Sequence, residues 1–385
     1  MQTEQRIEII DVLRGWALLV VVISNYLYFG YSPEGNINGA GTFSTIIQTM
    51  ERFFFSAKGW TLLFVLFGFG FGIIYAKMQQ NAYAFLTRRM LVLFGFALFN
   101  TLIYDGDILR DYAFLGLLFL FFIHLPARKL MIIGGVLLLL EPFLKAGIDK
   151  IDASYITAQV NEIAPLRFSH NWLDIFKYNL LSSYYYEVLS LPYSVTAHYV
   201  MFICMLFGLA LQKSNFFDGL REKKQTLKKV MIGSLVLTLA FWGIGLFSRS
   251  MQFRYLDYFS FHYWIVIATM LFTATGIVLL FNYGKMQSVF IAFSSVGKMT
   301  FTNYIAQNII SFLAFQGVGL RIFHYIPFHF YFLFAIMVYC FQIAVSYWWL
   351  QTHTYGPLEW LWRKLSGTGK KTPELLPVRI LARKE

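Results

Sequence analysis

The chain has 385 residues, 58% of them hydrophobic and 14% charged, with 42 Phe. A soluble domain carries about a quarter charged residues, so this composition excludes a water-soluble globular fold and calls for lipid around the surplus apolar surface. The formal net charge of +12 implies no nucleic-acid partner, because Lys and Arg cluster between apolar runs as they do in cytoplasmic loops.

The first apolar run opens with Asp11 and Arg14, ends at Asn25-Tyr26 and lacks a small-residue cleavage site, so it reads as a retained helix and not a signal peptide. A span needs about 20 mostly apolar residues. Such runs fall near 12–30, 58–76, 90–104, 112–125, 130–144, 197–211, 230–247, 259–281, 299–317 and 328–350, with Ser288–Val296 a candidate half-helix before the ninth. The expected fold is therefore all-α, a polytopic transmembrane helix bundle of about ten spans. Cys204 and Cys340 lie inside apolar runs with no accompanying His/Cys cluster, so neither a disulfide framework nor a metal site is expected.

Charge orients the bundle. Arg88-Arg89, Arg128-Lys129, the run from Lys213 to Lys229, Lys285, Lys298 and the tail from Arg363 to Lys384 fall in alternate loops. The positive-inside rule places these loops, and both termini, in the cytoplasm. Residues 1–211 read as an N-terminal bundle with a long outer loop at 145–196, in which an amphipathic helix around Trp172–Leu181 would lie at the membrane interface. Residues 212–229 form a basic cytoplasmic linker, 230–365 a C-terminal bundle and 366–385 a basic tail.

Charged or amide side chains inside a span are costly and normally face protein. At 100° per residue, Arg14 and Asn25 lie about 20° apart around the first helix, with Asp11 beside them. Asp11 and Arg14 also suit a purely structural i,i+3 pair. Thr300, Asn303, Gln307 and Ser311 share a face of the ninth helix, as interhelical glue or as a cavity wall. The tight turn Asp105-Gly-Asp107-Ile-Leu-Arg110-Asp111 gathers three carboxylates and an Arg near the outer mouth. His198 and His262 fall at outer helix ends and His170 in the outer loop.

Several stretches resemble a known family. Arg6 to Leu18 through Asn25-Tyr26, with Gly297-Lys-Met-Thr300 through Asn303-Tyr304-Ile-Ala-Gln307 and Tyr355-Gly-Pro-Leu-Glu359-Trp360-Leu-Trp362-Arg363, resemble the YeiB-like (DUF418) bacterial membrane proteins. Leu66-Phe-Gly68-Phe-Gly70 and Gly106-Asp107-Ile108-Leu109 through Tyr112-Ala113 look like further landmarks of it. The resemblance implies a multi-pass protein of the bacterial plasma membrane. Asp-x-x-Arg-Gly followed by a deep Asn is also similar to transmembrane acetyltransferases of the heparan-glucosaminide type, which carry acetyl groups from cytosolic acetyl-CoA to a sugar amine across the membrane. That likeness puts Asn25 at their catalytic asparagine. Their catalytic His follows shortly after it, but residues 26–58 contain none, so His170, His198 or His262 would have to act instead.

Two functions are expected from these features. In an acyltransferase, Arg14, Asp11, Asn303 and Gln307 would hold a cytosolic acyl-CoA, and Asn25 with a histidine and Asp105 or Asp107 would serve a small-molecule, glycan or lipid acceptor at the outer face. In a transporter or flippase, the same stripes would line a solute route and Asp105/Asp107 would form a cation or proton site. The bilayer is the expected partner, with a second copy in a homodimer.

Overall fold

In hydrocarbon a backbone N–H or C=O has no water to bond, so uncharged apolar runs satisfy themselves as helices. The computed structural model describes residues 2–31, 36–37, 39, 41–251, 258–284, 286–323 and 326–367. Among them there is no strand, only a lone bridge between Tyr31 and Ile37. The first half holds α1 (Gln2–Tyr28), α2 (Thr42–Met50), α3 (Lys58–Met78), α4 (Ala82–Ile103), α5 (Ile108–Phe119), α6 (Ala127–Ile148), α7 (Ser154–Ile163) and α8 (Trp172–Ser183). The second holds α9 (His198–Lys213), α10 (Lys224–Ser250), α11 (His262–Asn282), α12 (Gln287–Lys298), α13 (Thr300–Phe315), α14 (Phe328–Trp349) and α15 (Pro357–Leu365).

Each of the ten expected spans coincides with a helix, but they are not equal in length. Among the described residues seven segments are long and apolar enough to cross a membrane, and one of these, Thr42–Ile103, contains both α3 and α4. α5 and α13 fall outside the set. With 12 and 16 residues they reach about 18 and 24 Å, short of a hydrocarbon core of about 30 Å. The fourth expected span, 112–125, ends at Phe119, where the chain turns toward Pro126. α12 is the separate half-helix anticipated before α13, and the two meet at Met299.

α1 is the core helix. Its apolar window is 72% buried, against 22% for α6 and 11% for α10, which present Leu139, Phe143, Val236 and Phe247 outward. α3, α12 and α14 enclose α1, so the helix packs on partners from beyond the 212–229 segment. Glycines set the closest approaches. A Cβ at Gly68 would strike the Met205 carbonyl of α9, and one at Gly297 the Asp11 carbonyl of α1. Lipid gives helices no hydrophobic reason to associate, and small residues replace it with close van der Waals contact.

The break between α12 and α13 exposes backbone N–H groups that α15 satisfies. Glu359 Oε1 accepts from Phe301 N at 2.7 Å and Thr302 N at 3.1 Å, while its Oε2 accepts from the Thr302 hydroxyl. The Thr302 hydroxyl in turn accepts from Leu358 N at 3.1 Å. A carboxylate at a helix N-terminus answers both the orphan donors and the dipole. Trp362 Nε1 donates to the Arg89 carbonyl at 3.1 Å, with the Arg89 guanidinium 3.6 Å over its ring.

The 145–196 segment is largely helical. α8 covers the stretch expected at the membrane interface, but it buries Ile175, Tyr178, Asn179 and Ser182 and packs against α4. Its inner face therefore belongs to the bundle. Lys285 and the tail from 368 onward lie outside the described residues.

Candidate functional site

The polar stripe of α1 forms as its spacing requires. Arg14 Nη1 donates to Asp11 Oδ1 at 3.0 Å, and the Arg14 side chain stays 34% exposed while that of Asp11 is buried. Gly70 of α3 faces this guanidinium. Eleven residues further on, about 16 Å along the axis, Asn25 is partly accessible and has no hydrogen-bond partner among the described residues. The neighbouring Ser24 Oγ is buried and also unpartnered.

The turn between α4 and α5 defines an acidic end of the bundle. Asp107 caps α5, and its Oδ1 accepts from Leu109 N at 3.0 Å, Asn100 Nδ2 at 2.8 Å and the Tyr304 hydroxyl of α13 at 3.1 Å. Its Oδ2 is buried without a partner. Burial pushes this carboxyl up from 3.8 to about 7, against the opposing pull of the Leu109 and Asn100 hydrogen bonds. Asp105 accepts from the Ser182 hydroxyl of α8 at 2.8 Å.

Asp111 belongs to a second network. Its carboxylate meets Tyr193 Oη at 2.9 Å and His198 Nε2 at 3.1 Å. His198 Nδ1 lies 2.8 Å from the Ser194 carbonyl. A carbonyl only accepts, so Nδ1 carries a proton, and neither ring nitrogen is open in this arrangement. Arg110 pairs with Glu187 and donates to Ser183 Oγ at 2.7 Å. His170 and His262 are exposed. Of the three candidate histidines, only His198 joins the carboxylate cluster.

Asn303 and Gln307 point toward α14. Asn303 Nδ2 donates to Ser346 Oγ at 2.9 Å, Gln307 Nε2 to Gln342 Oε1 at 2.7 Å, and Gln342 Nε2 to the Asn303 carbonyl at 2.8 Å. Both side chains are buried. In this state they form a helix–helix seam, in which Gln307 Oε1 is buried without a partner among the described residues.

Sequence reasoning passed over Asn100, Asn179, Gln316 and Arg167. Asn179 and Gln316 exchange amide hydrogen bonds at 3.3 and 3.1 Å, while Arg167 is buried among aromatic rings. A signal was present in each case. Asn100 stands between Phe99 and Thr101 in an apolar run, and Arg167 between Leu166 and Phe168.

An all-α bundle of long apolar helices, several of which expose large apolar side chains, is a multi-pass membrane protein. Residues 211–368 match the domain described as "Protein of unknown function (DUF418)". The chain is similar to YxaH of Bacillus subtilis strain 168 (27% identity over 94% of both chains) and to YeiB of Escherichia coli K12 (27%, over 93% of this chain and 95% of YeiB). A "39.9 kDa protein in amylase 3'region" of Bacillus acidopullulyticus is 26% identical over 97% of both. All three are described as uncharacterized. The chain thus carries a DUF418 match in its C-terminal part and is similar to YeiB-like proteins over nearly its whole length. No solved structure matches it.

Proposed function

We propose that this protein is a membrane-embedded acyltransferase of the bacterial plasma membrane, with both termini and the basic loops in the cytoplasm. The observation that carries the reading is Asn25, a partly accessible amide with no partner among the described residues on the helix face that also bears Arg14. Lipid offers such an amide nothing, and keeping it unpaired makes sense where a ligand completes it. The spacing of about 16 Å suits a donor whose phosphates rest near Arg14 while its thioester reaches Asn25.

An acceptor oxygen or nitrogen would attack the thioester carbonyl, and Asn25 Nδ2 would donate to the oxyanion that develops. Collapse would break the C–S bond, release the thiolate and leave the acyl group on the acceptor. Asp105, at the acidic end beside Tyr28 and Tyr178, is the carboxylate assigned to take the acceptor's proton. His198 would contribute only after releasing Ser194 or Asp111.

Asp107 favours a second reading. A carboxyl of value about 7 inside a bundle suits a proton site in a transporter. Purified protein given acetyl-CoA and longer acyl-CoAs should bind them and hydrolyse or transfer the thioester. Solute movement across vesicles without any thioester chemistry would select transport.

A further inference from the structure

The acidic end carries a buried cation that lacks a full set of hydrogen-bond partners. Arg167 is only 6% exposed, and its Nε and Nη2 have no hydrogen-bond partner. Four aromatic rings surround the guanidinium, Phe323 at 4.3 Å, Phe29 at 4.8 Å, Tyr178 at 5.4 Å and Tyr28 at 5.6 Å. Cation–π contacts of this kind offset part of the cost of burying the charge. Tyr28 also accepts a side-chain hydrogen bond, but Nε and Nη2 stay unsatisfied, which is the costly part. Asp105 acts on Arg167 through its charge, but the two form no direct ion pair, and Asp105 Oδ2 is held by Ser182.

The position is built and not incidental. Gly317 N donates to the Arg167 carbonyl at 3.0 Å, and a Cβ at Gly317 would collide with the backbone of Phe168 and Ser169. The region also opens to the exterior, since Tyr28 is 46% exposed and Tyr186 43%. Tyr28 stands one turn beyond Asn25 on α1. A buried, fork-shaped donor beside two half-exposed tyrosines matches a planar or tetrahedral oxyanion.

We infer that Arg167 is an anion subsite that holds a carboxylate or phosphate group of the acyl acceptor. The acceptor is then an anionic molecule, oriented with its nucleophile toward Asp105 and Asn25. This inference rests on the transferase reading for the word acceptor, while the anion site itself stands on the geometry of Arg167.

The test is thermal unfolding of the full-length protein in detergent at constant ionic strength, titrated with inorganic phosphate, glucose 6-phosphate, glucuronate or glucose against a chloride background. Nanodiscs with and without phosphatidylglycerol form a separate arm. Wild type should be stabilised by the phosphate or the carboxylate ligands, and not by glucose. Whichever soluble ligand or lipid arm responds identifies the source of the anion. Arg167→Gln should weaken the apparent affinity by about tenfold or more, the usual effect of losing a charged hydrogen-bond donor, while Arg167→Lys should retain part of it. If Arg167→Gln does not fold, Arg167→Lys and Tyr28→Phe carry the comparison. Anion binding without acyl transfer would keep the subsite and discard the transferase. A response that survives in Arg167→Gln but disappears in Arg14→Ala would place the anion at the basic end and overturn the inference. So would the lack of any response.

Discussion

The Tyr304 hydroxyl donates to Asp107 Oδ1 at 3.1 Å across 197 positions of sequence. With Asn100 on α4 donating to the same oxygen, and Asn308 Nδ2 meeting Asn100 Oδ1 at 3.3 Å, this contact joins α4, the α5 cap and α13. Three donors converge on one carboxyl oxygen while the other has none. That asymmetry leaves Oδ2 as the oxygen that holds a proton.

The first prediction follows from that proton. The folded value of Asp107, about 7, exceeds the ordinary 3.8, so between about pH 4 and 7 the folded chain keeps a proton that the unfolded chain has released. The contribution to stability is full below about pH 4 and is lost as pH rises through about 7. Thermal unfolding of wild type should therefore fall between about pH 5 and 8 relative to Asp107→Asn, whose neutral amide carries no such slope. A difference that grows in favour of wild type as pH rises would contradict this.

The second concerns the cap at the helix break. Glu359→Ala removes the acceptor for Phe301 N and Thr302 N and should cost about 1–2 kcal/mol, in the range of other N-terminal caps. Glu359→Gln retains an acceptor oxygen and should cost less. Equal losses for both variants would mean that the charge, and not the hydrogen bonds, holds α15 against α13.

The Asp11–Arg14 pair is the third. Removing one member leaves a charge in the bundle without its neighbour at 3.0 Å. Arg14→Ala should destabilise more than the double variant with Asp11→Ala, with a coupling energy of about 1 kcal/mol given the partial exposure of Arg14. Additive losses would show that each residue serves a separate partner.

Much of this was readable from composition and spacing, because lipid enforces simple rules. Helix positions follow from apolar runs, whereas the contact of Gly68 with Met205 of α9 appears only in the folded chain. The Asp11–Arg14 pair follows from i,i+3 spacing. What spacing does not carry is the partner of a polar side chain on another helix. Asn303 and Gln307 share a face, which suits a cavity wall as well as a seam, and only the position of Ser346 and Gln342 on α14 decides between them. Arg167 was missed for a similar reason. Its neighbours Phe29, Tyr178 and Phe323 come from three distant segments. The motif around Glu359 was visible as a family landmark, but its capping of α13 becomes clear only when α15 folds back onto the helix break.

The most direct test of the central claim is single-turnover acyl transfer, or thioester hydrolysis, by Asn25→Ala beside wild type. Asn25 has no hydrogen-bond partner among the described residues to lose, so the variant should fold, unfold at nearly the wild-type temperature and bind acyl-CoA with similar affinity. Its turnover should fall by roughly 10²–10³, as for other lost oxyanion donors. Wild-type turnover in Asn25→Ala, or a wild-type protein inert toward every acyl-CoA that it binds, would contradict the account.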